Sequence, residues 1–157
     1  MHFFTFVPKL IMKRSSIIKL FCLTGVLFFI IDCHAQPSTK WTEKQLMEPS
    51  ELAGMITNHT DSVVIISVGP FKSIPGSMHF GMVSEQEGFD KFKAQLSTMD
   101  KNKKIVIYCG CCPFEHCPNV RPAMDLLKNM SFTNYYLLNL PNNLKINWID
   151  KGYPIIQ

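Results

Sequence analysis

Two hydrophobic patterns alternate along the chain from Trp41 onward. Trp41 to Asn58 reads as an opening helical segment: Pro49 suits a first helical turn, and Leu52, Met55 and Ile56 recur at helical spacing. Ser62 to Val68 (SVVIISV) is a β-branched run without polar alternation, the pattern of a strand covered on both faces in a parallel sheet. Gly69-Pro70 ends that run, and Ile74-Pro75-Gly76 makes a tight turn into a short extended piece around Met78 to Met82. Gly88 to Met99 is amphipathic, with Phe89, Phe92 and Leu96 on one face of a helix. Lys104 to Tyr108 (KIVIY) is a second strand of the buried type, and Cys109 to Cys117 is an irregular loop. Asn119 to Met130 reads as a helix with Val120, Ala123, Met124 and Leu127 inward. Tyr135 to Leu140 is a third strand, and Leu144 to Lys151 is a last short helix closed by Gly152 as its C-cap. Strands alternating with helices predict one α/β domain with a mainly parallel central sheet flanked by helices.

Upstream of Trp41 the pattern changes. Lys13, Arg14 and Lys19 form a positive stretch, Leu20 to Ile31 is a 12-residue apolar run, and Cys33-His34-Ala35 offers small residues at −3 and −1 of a cleavage site before Gln36. This is the layout of a secretory signal peptide. The run is short of the roughly 20 apolar residues a spanning helix needs. An uncleaved membrane anchor is the alternative, and Asp32 counts against a lipoprotein anchored at Cys33. Met12 is a second candidate for the start, since the leader reads more simply from there. The expected organisation is a signal peptide over 1–35, a linker and N-terminal segment over 36–47, and the folded domain over 48–157. The protein is expected to be exported, periplasmic or secreted, and to meet a membrane only through an uncleaved leader.

The leader also explains the charge. The formal net charge of +4 arises from 16 Lys and Arg against 12 Asp and Glu. Lys9, Lys13, Arg14, Lys19 and Asp32 all lie in the first 35 residues, which leaves 12 basic and 11 acidic residues from Gln36 onward. A nearly neutral body offers no electrostatic footprint for nucleic acid. Removing the leader also removes Cys22 and Cys33. Cys109, Cys111, Cys112 and Cys117 then remain, in a compartment where disulfides persist.

Those four thiols carry the candidate chemistry. Cys109 follows directly on a strand and precedes a loop and a helix, and ligands of parallel α/β sheets bind beyond the carboxyl ends of strands. Loop amides and a helix N-terminus stabilise a thiolate there and make it nucleophilic, and Arg121, on the first turn of the helix, adds positive charge. Four cysteines and His116 fall within the 13 residues from Cys109 to Arg121. That density is compatible with a persulfide carrier, with a soft-metal site for copper(I) or zinc built from Cys109, Cys111, Cys112, Cys117 and His116, and with a dithiol–disulfide couple. A structural disulfide, for example from Cys111 or Cys112 to Cys117, is the plainer reading. Glu115, not Arg, stands six positions after Cys109, which disfavours a cysteine phosphatase.

An ordered set of residues resembles the rhodanese-like domain: Ile-Val-Ile-Tyr-Cys109 with its loop and helix, Phe132-Thr-Asn134 before a strand, Trp148 and Gly152-Tyr-Pro154, and Ile74-Pro-Gly-Ser77 upstream. The resemblance covers roughly Glu48 to Ile156. The string Cys-Gly-Cys-Cys-Pro…Cys-Pro-Asn…Arg-Pro-Ala resembles an exported subgroup of that family. The chain departs from the family in having Ser67 and Gly69-Pro70 where an Asp and an Arg are usual, and in a longer loop with three extra cysteines. The resemblance implies a sulfurtransferase in which Cys109 carries sulfane sulfur as a persulfide, taken from a small sulfur donor and passed to a thiol acceptor, with no cofactor required. Cys111, Cys112 and Cys117 are then resolving or second thiols. The alternative from a different class is a non-catalytic thiol-redox or copper- or zinc-binding module using the Cys109–Cys117 cluster.

Overall fold

A computed structural model describes residues 41–60 and 62–156. The expected leader, Met12, Cys22, Cys33 and the first part of the linker lie outside the described residues. Five strands form one sheet: β1 (Leu46–Met47), β2 (Val63–Ser67), β3 (Met78–His79), β4 (Lys104–Tyr108) and β5 (Tyr135–Leu138). Their order is β1-β5-β4-β2-β3, and every pairing is parallel. The expected α/β architecture is the one observed.

The absence of alternation in the strands follows from their burial. In β4, Ile105 and Ile107 pack on one face while Val106 and Tyr108 pack on the other, because successive strand side chains point to opposite faces. One face is covered by α2 (Gln86–Ser97), through Phe92 and Leu96, and by α3 (Val120–Asn129), through Val120, Ala123, Met124 and Leu127. The other is covered by α1 (Pro49–Thr57), through Leu52 and Ala53, and by α4 (Leu144–Asn147), which precedes the buried Trp148. The same alternation sends Cys109 to the α2–α3 face.

The opening segment differs from expectation. Trp41 to Asn58 is not one helix: a 3-10 turn over Glu43–Gln45 leads into β1, and only Pro49 onward is helical. Leu46 and Met47 pair with Leu137 and Leu138 of β5, two residues before the domain boundary expected at Glu48. A two-residue edge strand has no period to read, and only the exposed edge of β5 gives Leu46-Met47 its partners. The C-terminal segment likewise divides into α4 and a 3-10 turn, Ile149–Lys151.

Tyr108, 1% exposed, ties the end of β4 to the turn that follows β2. Its hydroxyl oxygen accepts from the Ser73 and Ile74 amides at 3.0 and 3.2 Å and lies 3.1 Å from the Ser77 hydroxyl. Removing that oxygen leaves buried donors without a partner, which costs about 1–3 kcal/mol. Tyr108→Phe is therefore expected to lower the unfolding free energy by about that much in urea titration. An unchanged midpoint would show that the turn at Ile74–Ser77 stands without it.

Candidate active site at the ends of β2 and β4

The strand order places the site. From β2 the chain first moves outward to β3, then crosses back so that β4 lies on the other side of β2. The connections leaving β2 and β4 therefore part in opposite directions, and such a switch point is where ligands of parallel α/β sheets bind. Gly69 and Cys109 meet there. A Cβ built on Gly69 would stand 2.6 Å from Cys109 Sγ and 2.7 Å from the Cys109 carbonyl oxygen, closer than any side chain can approach. Only glycine fits. The Gly69 carbonyl is in turn bonded to His79 Nε2 at 2.8 Å, and the Val83 amide donates to the Val68 carbonyl at 3.1 Å.

The turn after Cys109 depends on a second glycine. Gly110 adopts φ +86°, a left-handed conformation that side-chain-bearing residues avoid. Its carbonyl accepts from the Leu144 amide at 2.9 Å, which holds the loop to α4. The loop then runs through a 3-10 turn, Phe114–His116, with Phe114 buried. Cys117, 5% exposed, returns to the Cys109 sulfur just before α3.

The four loop cysteines are free thiols. Cys109 and Cys111 have sulfurs 3.3 Å apart, and Cys111 and Cys112 likewise. The sulfurs of Cys109, Cys111 and Cys117 all lie within 4.8 Å of one another. His116 is exposed on the 3-10 turn and does not belong to that trio. Arg121 places its guanidinium carbon 5.0 Å over the ring of Trp41, a cation–π contact.

Asn119 belongs to this site, and sequence reasoning passed it over. It is 2% exposed. The Ser84 amide donates to its Oδ1 at 2.9 Å, so Nδ2 is the atom that faces Cys109 Sγ, at 3.7 Å. Asn119 thus joins the loop before α2 to the sulfur. Its place just before a helix made it look like a helix boundary, and nothing local in Pro118-Asn119-Val120 marks a sulfur contact. Gly69 was legible as a strand terminator, not as the floor under Cys109.

Cys109 and Cys117 share one negative charge. Their mutual hydrogen bond is the main influence on both: it pushes the Cys109 thiol up, with burial and Cys111 adding to the rise. It pulls Cys117 down to about 5, with burial opposing and the Asn119 and Val120 amides assisting. The same contact thus favours the proton on Cys109 and the thiolate on Cys117. Burial pushes the half-buried Cys112 up to about 12, with the Cys111 contact adding to it. The thiolate's contribution to stability is fully present above the ordinary thiol pKa and is lost as pH falls through about 5. The far-ultraviolet thiolate absorbance is expected to persist at pH 6, to fall with a midpoint near 5, and to lose that low step in Cys117→Ser. A single step near the ordinary thiol range of about 8.5 would contradict the shared-proton arrangement.

No family model and no curated protein matches the chain. Solved structures do. The rhodanese-like domain of an Anabaena sp. protein superposes with a TM-score of 0.51 at 17% identity, covering 71% of this chain and 78% of that one. The domain has the rhodanese fold. A single-domain sulfurtransferase from Saccharomyces cerevisiae is similar in the same way, with a TM-score of 0.50 at 15% identity over 71% of this chain and 95% of that one. This rhodanese fold carries the thiol cluster, with Gly69 beneath Cys109 and Asn119 beside it.

Proposed function

We propose that the protein is an exported sulfur carrier in which Cys109 holds sulfane sulfur as a persulfide. The observation that carries this reading is the position of Cys109: at the carboxyl end of β4, next to the end of β2, pressed on Gly69 and facing the Asn119 amide. With thiosulfate as the donor, Cys109 Sγ attacks the outer sulfur. A Cys109 S–S bond forms, the donor's S–S bond breaks, and sulfite leaves with the electron pair. The Cys109 proton passes to Cys117, its hydrogen-bonded partner. A nucleophilic acceptor then takes the sulfur, so that one difficult transfer is divided into two easier steps. Asn119 Nδ2 and the backbone amides around the two sulfurs stabilise the charge during each step. The predicted leader over residues 1–35 supports export.

The direct test is intact-mass measurement of the reduced protein before and after thiosulfate, followed by mapping of the alkylated peptides. A gain of one sulfur on Cys109 is expected. A gain mapped to Cys117 would transfer the carrier role to that residue, and no gain on any thiol would end the sulfur-carrier reading.

One observation favours a second reading, a soft-metal site. Three sulfurs within 4.8 Å of one another suit a thiophilic ion. They fall one ligand short of the four that a structural zinc site takes, which favours copper(I). Native mass measurement of the reduced protein with added copper(I) tests this: one ion retained natively and lost on denaturing supports it, and no retention excludes it.

A further inference from the structure

A sulfur carrier needs one thiol, and this loop presents four. Their depths differ. Cys109 is 4% exposed, Cys111 is exposed, and their sulfurs are 3.3 Å apart. A donor as small as thiosulfate reaches a sulfur at that depth far more readily than a protein does. A thiol fixed on the surface of another protein cannot follow it to a sulfur buried that far, because its own backbone would collide with the loop.

We infer that Cys111 is the delivery thiol: sulfur loaded on the buried Cys109 passes to the exposed Cys111, and a cysteine of a partner protein collects it there. The inference rests on the sulfur-carrier reading and names the acceptor class for it, a protein-borne thiol. In the step, the Cys111 sulfur attacks the outer sulfur of the Cys109 persulfide. A bond forms between that sulfur and Cys111 Sγ, and its bond to Cys109 Sγ breaks. Cys109 departs with the electron pair and receives the proton that Cys111 gave up. One persulfide and one thiol stand on each side of the step, so neither an oxidant nor a reductant is required. The Asn119 amide, 3.7 Å from Cys109 Sγ, receives the departing sulfur.

The geometry also gives the transfer an end. Cys112, the next thiol outward, is half-buried rather than exposed, so an incoming protein thiol meets the sulfur at Cys111. The competing attack, on the inner sulfur of the persulfide, would expel hydrosulfide and leave a Cys109–Cys111 disulfide. That outcome is chemically distinct and can be read by mass.

The test loads the full, reduced chain with thiosulfate, removes the donor, and offers a carrier protein with one exposed cysteine. Transfer is expressed per sulfur loaded. Cys111→Ser is expected to slow that transfer about tenfold or more, since the reacting sulfurs are no longer brought into contact. Cys112→Ser, outside the proposed route, controls for general loosening of the loop. Peptide mapping of the loaded wild type is expected to find sulfur on Cys111 as well as Cys109. Loading on Cys109 with undiminished transfer from Cys111→Ser overturns the relay alone. So does a Cys109–Cys111 disulfide formed with release of sulfide. Failure of the wild type to load at all defeats the carrier reading itself.

Discussion

Cys109→Ser is expected to cut thiosulfate-dependent sulfur loading by about a thousandfold or more, to the background of the remaining thiols, since removing a covalent nucleophile has effects of that order or larger. The substitution is close to isosteric at a site that is 4% exposed. It leaves the contact with Gly69 intact, so the fold is retained and the loss is chemical. A serine hydroxyl holds its proton far more tightly than a thiol and cannot accept sulfur as a stable persulfide. A second substitution is diagnostic. The hydrogen bond from Cys109 is the largest influence lowering Cys117; a serine hydroxyl still donates it, so Cys109→Ser keeps a low thiolate step, whereas Cys109→Ala shifts that step upward. The two readouts separate the roles. Loading abolished in Cys109→Ser with the low thiolate step retained places the carrier on Cys109. Loading that survives on Cys117 reverses the assignment.

Gly69→Ala is the second large effect expected, and it acts through geometry. The new Cβ would lie 2.6 Å from Cys109 Sγ and 2.7 Å from its carbonyl oxygen. The sulfur could swing aside, but the carbonyl belongs to the backbone leaving β4 and cannot yield without moving the strand end. Overpacking of this kind costs about 1–3 kcal/mol and occasionally more, and contact with backbone puts Gly69→Ala at the upper end. A fall in Tm of roughly 10 °C or more follows for a domain of this size. Loading by the folded fraction is expected to drop as well, by about a hundredfold, because displacements near 1 Å in a reacting group have effects of that size. Wild-type Tm with wild-type loading would show that β2 and β4 do not meet as described.

The two expectations depend on different kinds of information. That Cys109 matters could be read from the chain: it ends a buried strand and opens a loop dense in thiols. That Gly69 matters could not. It lies forty residues earlier, and its role exists only because β2 and β4 are neighbours in register, with Ser67 opposite Tyr108. Asn119 is the same case. Its side chain bridges Ser84 and Cys109, three places that the sequence separates and the fold brings together. Arg121, read from the sequence as positive charge near Cys109, also owes a contact to the fold: its guanidinium lies over Trp41, eighty residues earlier in the chain.

Periodicity and residue type determined the elements of this protein. A continuous β-branched run is stable only when both faces are covered, so Ser62–Val68 and Lys104–Tyr108 announced a parallel α/β sheet without any long-range information. The amphipathic spacing of Phe89, Phe92 and Leu96 announced a helix on the same terms. The order of the strands, the edge strand Leu46–Met47 and the companions of Cys109 were decided by the tertiary structure alone. The physical reason is that these features are contacts between segments distant in the chain. A two-residue strand acquires its hydrogen bonds from a partner edge, and a glycine or asparagine acquires its role from the atom packed against it. Neither leaves a local pattern in the sequence. The fold also decided which thiol is buried, which is exposed and which shares its proton, by folding the loop from Cys109 to Cys117 back on itself at the end of β4.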